Sequence, residues 1–186
     1  EDAVSPFGFK LAGVTSSLTN ATVSGPSGSP AAVSVNFTGA PNDGDAITLN
    51  FNLPDGTTQN LTLTATSQSP PGANQFTIGA TPAATAANFQ SALTTAVGGL
   101  AATSLKAAST VTASNDFFNA DTSSPPQRVA GPPYDTATSL TAGTAANTVI
   151  WYTGEDGAGS AVSSASTRID PSLVVSYGTR ANESAL

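Results

Sequence analysis

The run "ATPAATAANFQSALTTAVGGL", Ala80 to Leu100, decides how the rest of the chain is read. Thr81 is a favourable N-cap, and Pro82 suits the first helical position, where its missing N–H costs nothing. Gly98 or Gly99 then predicts the stop. Between these signals Phe89, Ala92, Leu93, Ala96, Val97 and Leu100 recur at three- and four-residue steps, which puts them on one face of a helix. An amphipathic helix of this kind needs a surface to cover.

That surface is predicted just upstream. Val33, Val35 and Phe37 alternate with Ser34 and Asn36, the period-two signature of a half-buried strand. After the breaker segment "TGAPNDGD", Ile47, Leu49, Phe51 and Leu53 alternate again. "LPDGT" supplies Pro54 for a φ near −65° and Gly56 for a positive φ, so the chain reverses into "TQNLTLTAT", whose Leu61, Leu63 and Ala65 carry the apolar face. Phe76 and Ile78 make one more short strand. A hairpin alone is marginal in water, and a helix laid on its apolar face stabilises it. At ~25 cal/mol per Å² of apolar surface removed from water, Phe89 and Leu93 should contribute about 1.5 to 3 kcal/mol each. The fold class expected is α+β: a small antiparallel sheet with hairpins, covered by one or two amphipathic helices, with a long irregular surface loop.

Downstream, in "LAATSLKAASTVTASNDFF", Ala101, Ala102, Leu105, Ala108 and Val111 fit a helix while Thr110, Val111 and Thr112 also fit a strand, and a helix to about Ser114 is the favoured reading. Residues 119–147, with two Pro-Pro pairs and few large apolar side chains, read as an irregular surface excursion. Structure is expected to resume at "TVIWYTG", and Ile169, Leu173, Val175 and Tyr177 fit a closing pair of strands or a strand with a bulge near Pro171. Nothing repeats at a fixed period.

Composition removes whole classes of function. The 186 residues contain no Cys and no His, so disulfides, thiolate metal sites and imidazole chemistry are all missing. Five Lys and Arg against twelve Asp and Glu give a formal net charge of −7. The cations Lys10, Lys106, Arg128, Arg168 and Arg180 are scattered, which argues against nucleic acid and against an anionic membrane surface as partners. Only 9% of residues are charged, and Ser, Thr, Asn and Gly carry the polarity instead, as in an exposed extracellular protein. No apolar run approaches the ~20 residues of a membrane span, and no signal peptide is visible.

Candidate sites are few. "NDGD", Asn42 to Asp45, with Asp55 offers oxygen ligands for calcium, but such a site normally needs about six oxygens, and turns favour Asn, Asp and Gly for conformational reasons. Glu155 and Asp156 in "GEDGAGS" form a carboxylate pair better read as a solvated hairpin tip, and the glycines make no phosphate cradle without a P-loop Lys. Trp151 beside Tyr152, with Phe117, Phe118 and Tyr134, offers a sugar-stacking platform; strand alternation would turn one of the pair inward, and Trp151 reads as core. Sequons stand at Asn20, Asn36, Asn60 and Asn182, as chance supplies in so Ser-, Thr- and Asn-rich a chain. No catalytic residue, cofactor site or metal site is assigned, and the chain is not expected to be an enzyme.

Two stretches resemble a known family. "DGDAITLNFNLPDGT" followed by "ATPAATAANFQSALTTAVG" looks like the strand-and-helix module in the outer regions of bacterial flagellins and the related hook–filament junction proteins. The tail "NTVIWYTGED…STRIDPSLVVSYGTRANESAL" looks like the segment that closes such an outer domain and leads back to the helical shaft. The likeness runs from Ser5 onward and rests on structural motifs. It implies a protein exported unfolded, without a cleavable signal, that serves in an extracellular filament. The long terminal helices through which flagellins polymerise are missing. The resemblance therefore implies a single outer domain over 1–186, with 1–12 and 179–186 leading to the shaft, Glu1 and Leu186 close together, and a monomeric fragment. Its partners would be filament subunits of the same kind, joined through segments not present. An adhesin-like or carbohydrate-binding module is the alternative. A carboxylate-only glycosidase built on Glu155 and Asp156 is a third reading and needs its two carboxylates ~5 to 9.5 Å apart.

Overall fold

The computed structural model describes residues 1–154 and 157–181. The chain is mixed α+β, with small sheets and a helical run of 37 residues. Where the sequence reads as one domain over 1–186, its contacts group into two compact units, residues 1–112 and 113–186. Each is described in turn.

The first unit is built on a four-stranded sheet of β1 (Lys10–Ser16), β4 (Ala46–Asn52), β5 (Thr58–Thr66) and β6 (Gln75–Thr77), in the order β1-β4-β5-β6. The predicted hairpin is β4 against β5, with Ile47 opposite Leu63 and Leu49 opposite Leu61. Alternation does what it should. Ile47, Leu49, Phe51, Leu61, Leu63 and Ala65 are buried, while the Thr48 and Thr62 hydroxyls meet at 2.8 Å on the other face. β6 joins parallel to β5 and brings in Phe76, 1% exposed. β1 pairs antiparallel to β4 with a bulge between Leu11 and Gly13, which explains why "KLAGVTS" lacks a clean period of two. Residues 10–12, read as leading out of the domain, thus belong to its sheet.

β3 (Ala32–Phe37) does not continue into that sheet. It pairs back on β2 (Ala21–Ser27), with Val23 opposite Val35, in a separate two-stranded ribbon. Gly25 and Pro26 inside β2 obscure its strand pattern, and the register shifts between Ser24 and Ser27.

The helix α1 (Pro82–Leu100) starts as its sequence predicts. Thr81 is extended, and its hydroxyl accepts from the Ala84 N–H at 3.2 Å. All six residues of the predicted face pack on the core. Phe37, Phe76 and Phe89 meet edge to face, with centroids 5.3 to 6.1 Å apart. Leu93, Ala96, Val97 and Leu100 pack on Leu49, Phe51 and Leu61. The turn before the helix is equally specific. Fully buried Thr85 accepts from the Gly79 N–H at 3.0 Å and donates to the Thr81 carbonyl at 3.2 Å. A Cβ on Gly79 would lie 2.6 to 2.8 Å from Ala84 and Thr85, so only glycine lets the turn close against the helix.

The predicted stop at Gly98–Gly99 is overturned. Neither glycine takes the positive φ that ends a helix. The backbone instead widens into a π-helical stretch, Ala101–Leu105, and runs on as α2 (Lys106–Phe118), past the expected end near Ser114. The Ala101 N–H is shared between the Val97 and Gly98 carbonyls at the change of winding.

Among its described residues the second unit has no comparable sheet. β7 (Gln127–Val129) pairs with β8 (Leu140–Ala142), and β9 (Ser166–Asp170) with β10 (Leu173–Ser176), as two separate ribbons. The second is the predicted closing pair, with a register shift between Leu173 and Val174. "TVIWYTG" forms no strand. Its Trp151 instead donates Nε1–H to the Phe118 carbonyl at 2.7 Å, with the Phe118 ring 5.3 Å away.

Candidate functional site

Five of the described aspartates, Asp43, Asp45, Asp55, Asp121 and Asp170, accept hydrogen bonds from nearby backbone and hydroxyl groups at turns and loops. In "NDGD", Asp45 accepts from the Thr19 N–H at 2.8 Å, the Thr19 hydroxyl at 2.6 Å and the Asn42 N–H at 2.8 Å. Asp43 accepts from the Ser67 N–H at 2.5 Å. Asp55 accepts from the N–H and hydroxyl of Thr57, which closes the hairpin turn. Asp121 accepts from the N–H and hydroxyl of Ser123 and from the Ser124 N–H, and Asp170 from the N–H and hydroxyl of Ser172. Hydrogen bonds to the charged form hold all five carboxyls below their ordinary value. Of the residues weighed as calcium ligands, Asn42 to Asp45 and Asp55, Asp45 and Asp55 each spend a carboxylate oxygen on a turn N–H. Among the described residues no cluster of three or more acids could hold a metal ion. Glu155 and Asp156 lie outside the described residues.

The aromatic candidates separate. Trp151 and Tyr152 are both half-buried, so the in–out alternation expected of a strand does not operate. Trp151 stacks in a chain of rings with Phe117, Phe118 and Tyr152, at 5.2 to 5.6 Å. Trp151, read as core, is only partly buried and belongs to neither core cluster, and Phe118 beside it is 54% exposed. Tyr134 stands apart at 65% exposed. Of the sequons, Asn20 uses its amide to donate to the Ala40 carbonyl at 2.7 Å, Asn36 and Asn60 lie exposed on strands, and Asn182 lies outside the described residues.

Two clefts have contrasting chemistry. In the first unit an apolar cleft of about 550 Å³ lies between the helix and the strands, with Phe37, Phe51, Phe89 and Leu93 on its walls and Gln90 among them. In the second unit a polar cleft of about 600 Å³ is lined by Gln127, Arg128, Tyr134, Thr141 and Asn147, together with Val129 and Gly131. The sequence read this second region as irregular surface, and Arg128 only as a scattered cation. What could have drawn attention was "RVAGPPYD", a cation and an aromatic separated by rigid turn residues.

Compared with protein-family models, with characterised proteins and with solved structures, the chain finds no match. No described helix is long and apolar enough to cross a membrane.

Proposed function

We propose that the chain is the surface-exposed outer domain of a bacterial flagellar filament subunit, with a structural rather than catalytic role. The observation that carries this reading is the module on which the resemblance rests. "DGDAITLNFNLPDGT" supplies β4, an inner strand of the four-stranded sheet, with the turn into β5, and "ATPAATAANFQSALTTAVG" supplies the helix laid on that sheet. The use of aspartates supports the same reading. They hold turns with lowered proton affinity, the opposite of what a general acid needs at neutral pH. In this role the domain sets filament diameter, surface polarity and the face presented outside the cell. Its partners are the neighbouring filament subunits, joined through shaft helices.

Immunogold electron microscopy of the source cells, with antibody raised against residues 1–186, tests this. Gold along the whole filament is the expected result. Gold confined to the filament base would move the chain to the hook–filament junction, and gold elsewhere on the envelope would overturn the flagellar reading.

A further inference from the structure

We propose that the cleft beside Tyr134 binds a carboxylated sugar, a uronic or sialic acid at the end of a glycan, with the sugar on the Tyr134 ring and its carboxylate on Arg128. Four observations converge there. The β7–β8 register sets Arg128 directly opposite Thr141, so their side chains leave the same face of the ribbon. The Tyr134 ring edge lies against Gly131, where a Cβ would come within 2.6 Å of it, so glycine at 131 is what admits the ring. The cleft, at about 600 Å³, falls within the usual range for small-ligand sites. Finally, its polar groups are unspent. Among the described residues the Arg128 guanidinium, the Gln127 amide and the Thr141 hydroxyl have no hydrogen-bond or ion-pair partner. Asn147 uses its side-chain oxygen on the Thr144 N–H at 2.7 Å and keeps its NH₂ free.

The donor inventory selects the ligand. A planar, permanently charged guanidinium pairs bidentately with a carboxylate. Amide and hydroxyl groups suit a ring of sugar hydroxyls, and the electron-rich face of a tyrosine suits the C–H face of a pyranose. A ligand with several phosphates would meet a net charge of −7 and the neighbouring Asp135, which favours a monoanion. Trp151 takes no part, since its ring and N–H are committed to Phe118.

Titration of the full chain with 3′-sialyllactose and with a galacturonic acid trimer, followed by saturation-transfer NMR and calorimetry, tests this, with lactose as the neutral comparator. At least one carboxylated sugar should bind saturably and lactose should not. Arg128→Gln and Tyr134→Ala should each weaken binding roughly tenfold or more. Arg128→Lys keeps the charge, loses the fork and should fall between. Should Tyr134→Ala perturb Trp151 fluorescence, Tyr134→Leu keeps the apolar bulk and removes the flat face. Absence of binding by both carboxylated sugars, equal binding of lactose, or binding unchanged in the Arg128 and Tyr134 variants would overturn the proposal. These outcomes are read on the purified chain and do not depend on where the antibody labels the cell.

Discussion

Residues 1–112 and 113–186 share the same small, polar composition but treat their apolar residues in opposite ways. In the first, Ile47, Leu63, Ala65 and Phe76 are each 1% exposed, because strands and a helix face one another. In the second, Ile169, Leu173, Val174 and Tyr177 are each more than half exposed, although β9 and β10 pair as the sequence predicts. Strand pattern alone therefore does not produce burial. It does so only where a second layer covers the strand, and a two-stranded ribbon without cover is marginal. The second unit is held instead by local devices. Asp121 and Asp170 tie their turns, and the Gly143 N–H donates to the Pro126 carbonyl at 2.9 Å. The aromatic chain from Phe117 to Tyr152 adds contact between segments distant in sequence.

The sharpest way to break this contrast is Phe76→Ala. The ring touches both Phe37 and Phe89, and its loss should cost about 3 to 5 kcal/mol, a large fraction of the roughly 5 to 15 kcal/mol that stabilises an ordinary domain. Far-UV circular dichroism should record the loss. Emission from Trp151, the single tryptophan and a resident of the second unit, should keep its own midpoint in denaturant. A joint shift of both signals would abolish the distinction. Gly79→Ala should follow, at roughly 1 to 3 kcal/mol by denaturant midpoint, since its Cβ meets backbone that cannot retreat. A neutral result would mean that the turn can open.

Smaller and opposite in sign is the effect at Gly98 and Gly99. Both are helical, with open space where a Cβ would go. Replacing either by alanine should therefore raise stability by about 1 kcal/mol. A loss would show that the passage into the π-helical stretch needs glycine.

The weakest effects, residue for residue, belong to the aspartates. Their folded carboxyls titrate below the ordinary value of 3.8. Their contribution is therefore complete at neutral pH and is lost as pH falls below about 4. The thermal midpoint should be flat from about pH 7 to 5 and fall in acid. A rise on acidification would contradict the turn assignments.

How much of this was legible in the sequence follows from the range of the forces involved. The N-cap at Thr81, the β4–β5 hairpin and the buried face of α1 are set by neighbours within a few residues, and all were readable. β1 and β2 were not, because a bulge and a Gly-Pro pair interrupt their periods while pairing partners elsewhere rescue them. The glycine pair at 98–99 misled for a related reason. Glycine permits a stop without compelling one, and Leu100 packs on the sheet core only if the helix runs on to it. The polar cleft escaped notice because Arg128 and Thr141 become neighbours only through the β7–β8 register.

Hydrogen exchange followed by mass spectrometry, peptide by peptide on the intact chain, tests the contrast most directly. Amides of β4, β5 and α1 should open only with global unfolding of their unit, while those of β7 to β10 should exchange orders of magnitude sooner. Uniform protection across residues 10–176 would contradict the account and make the chain a single cooperative body.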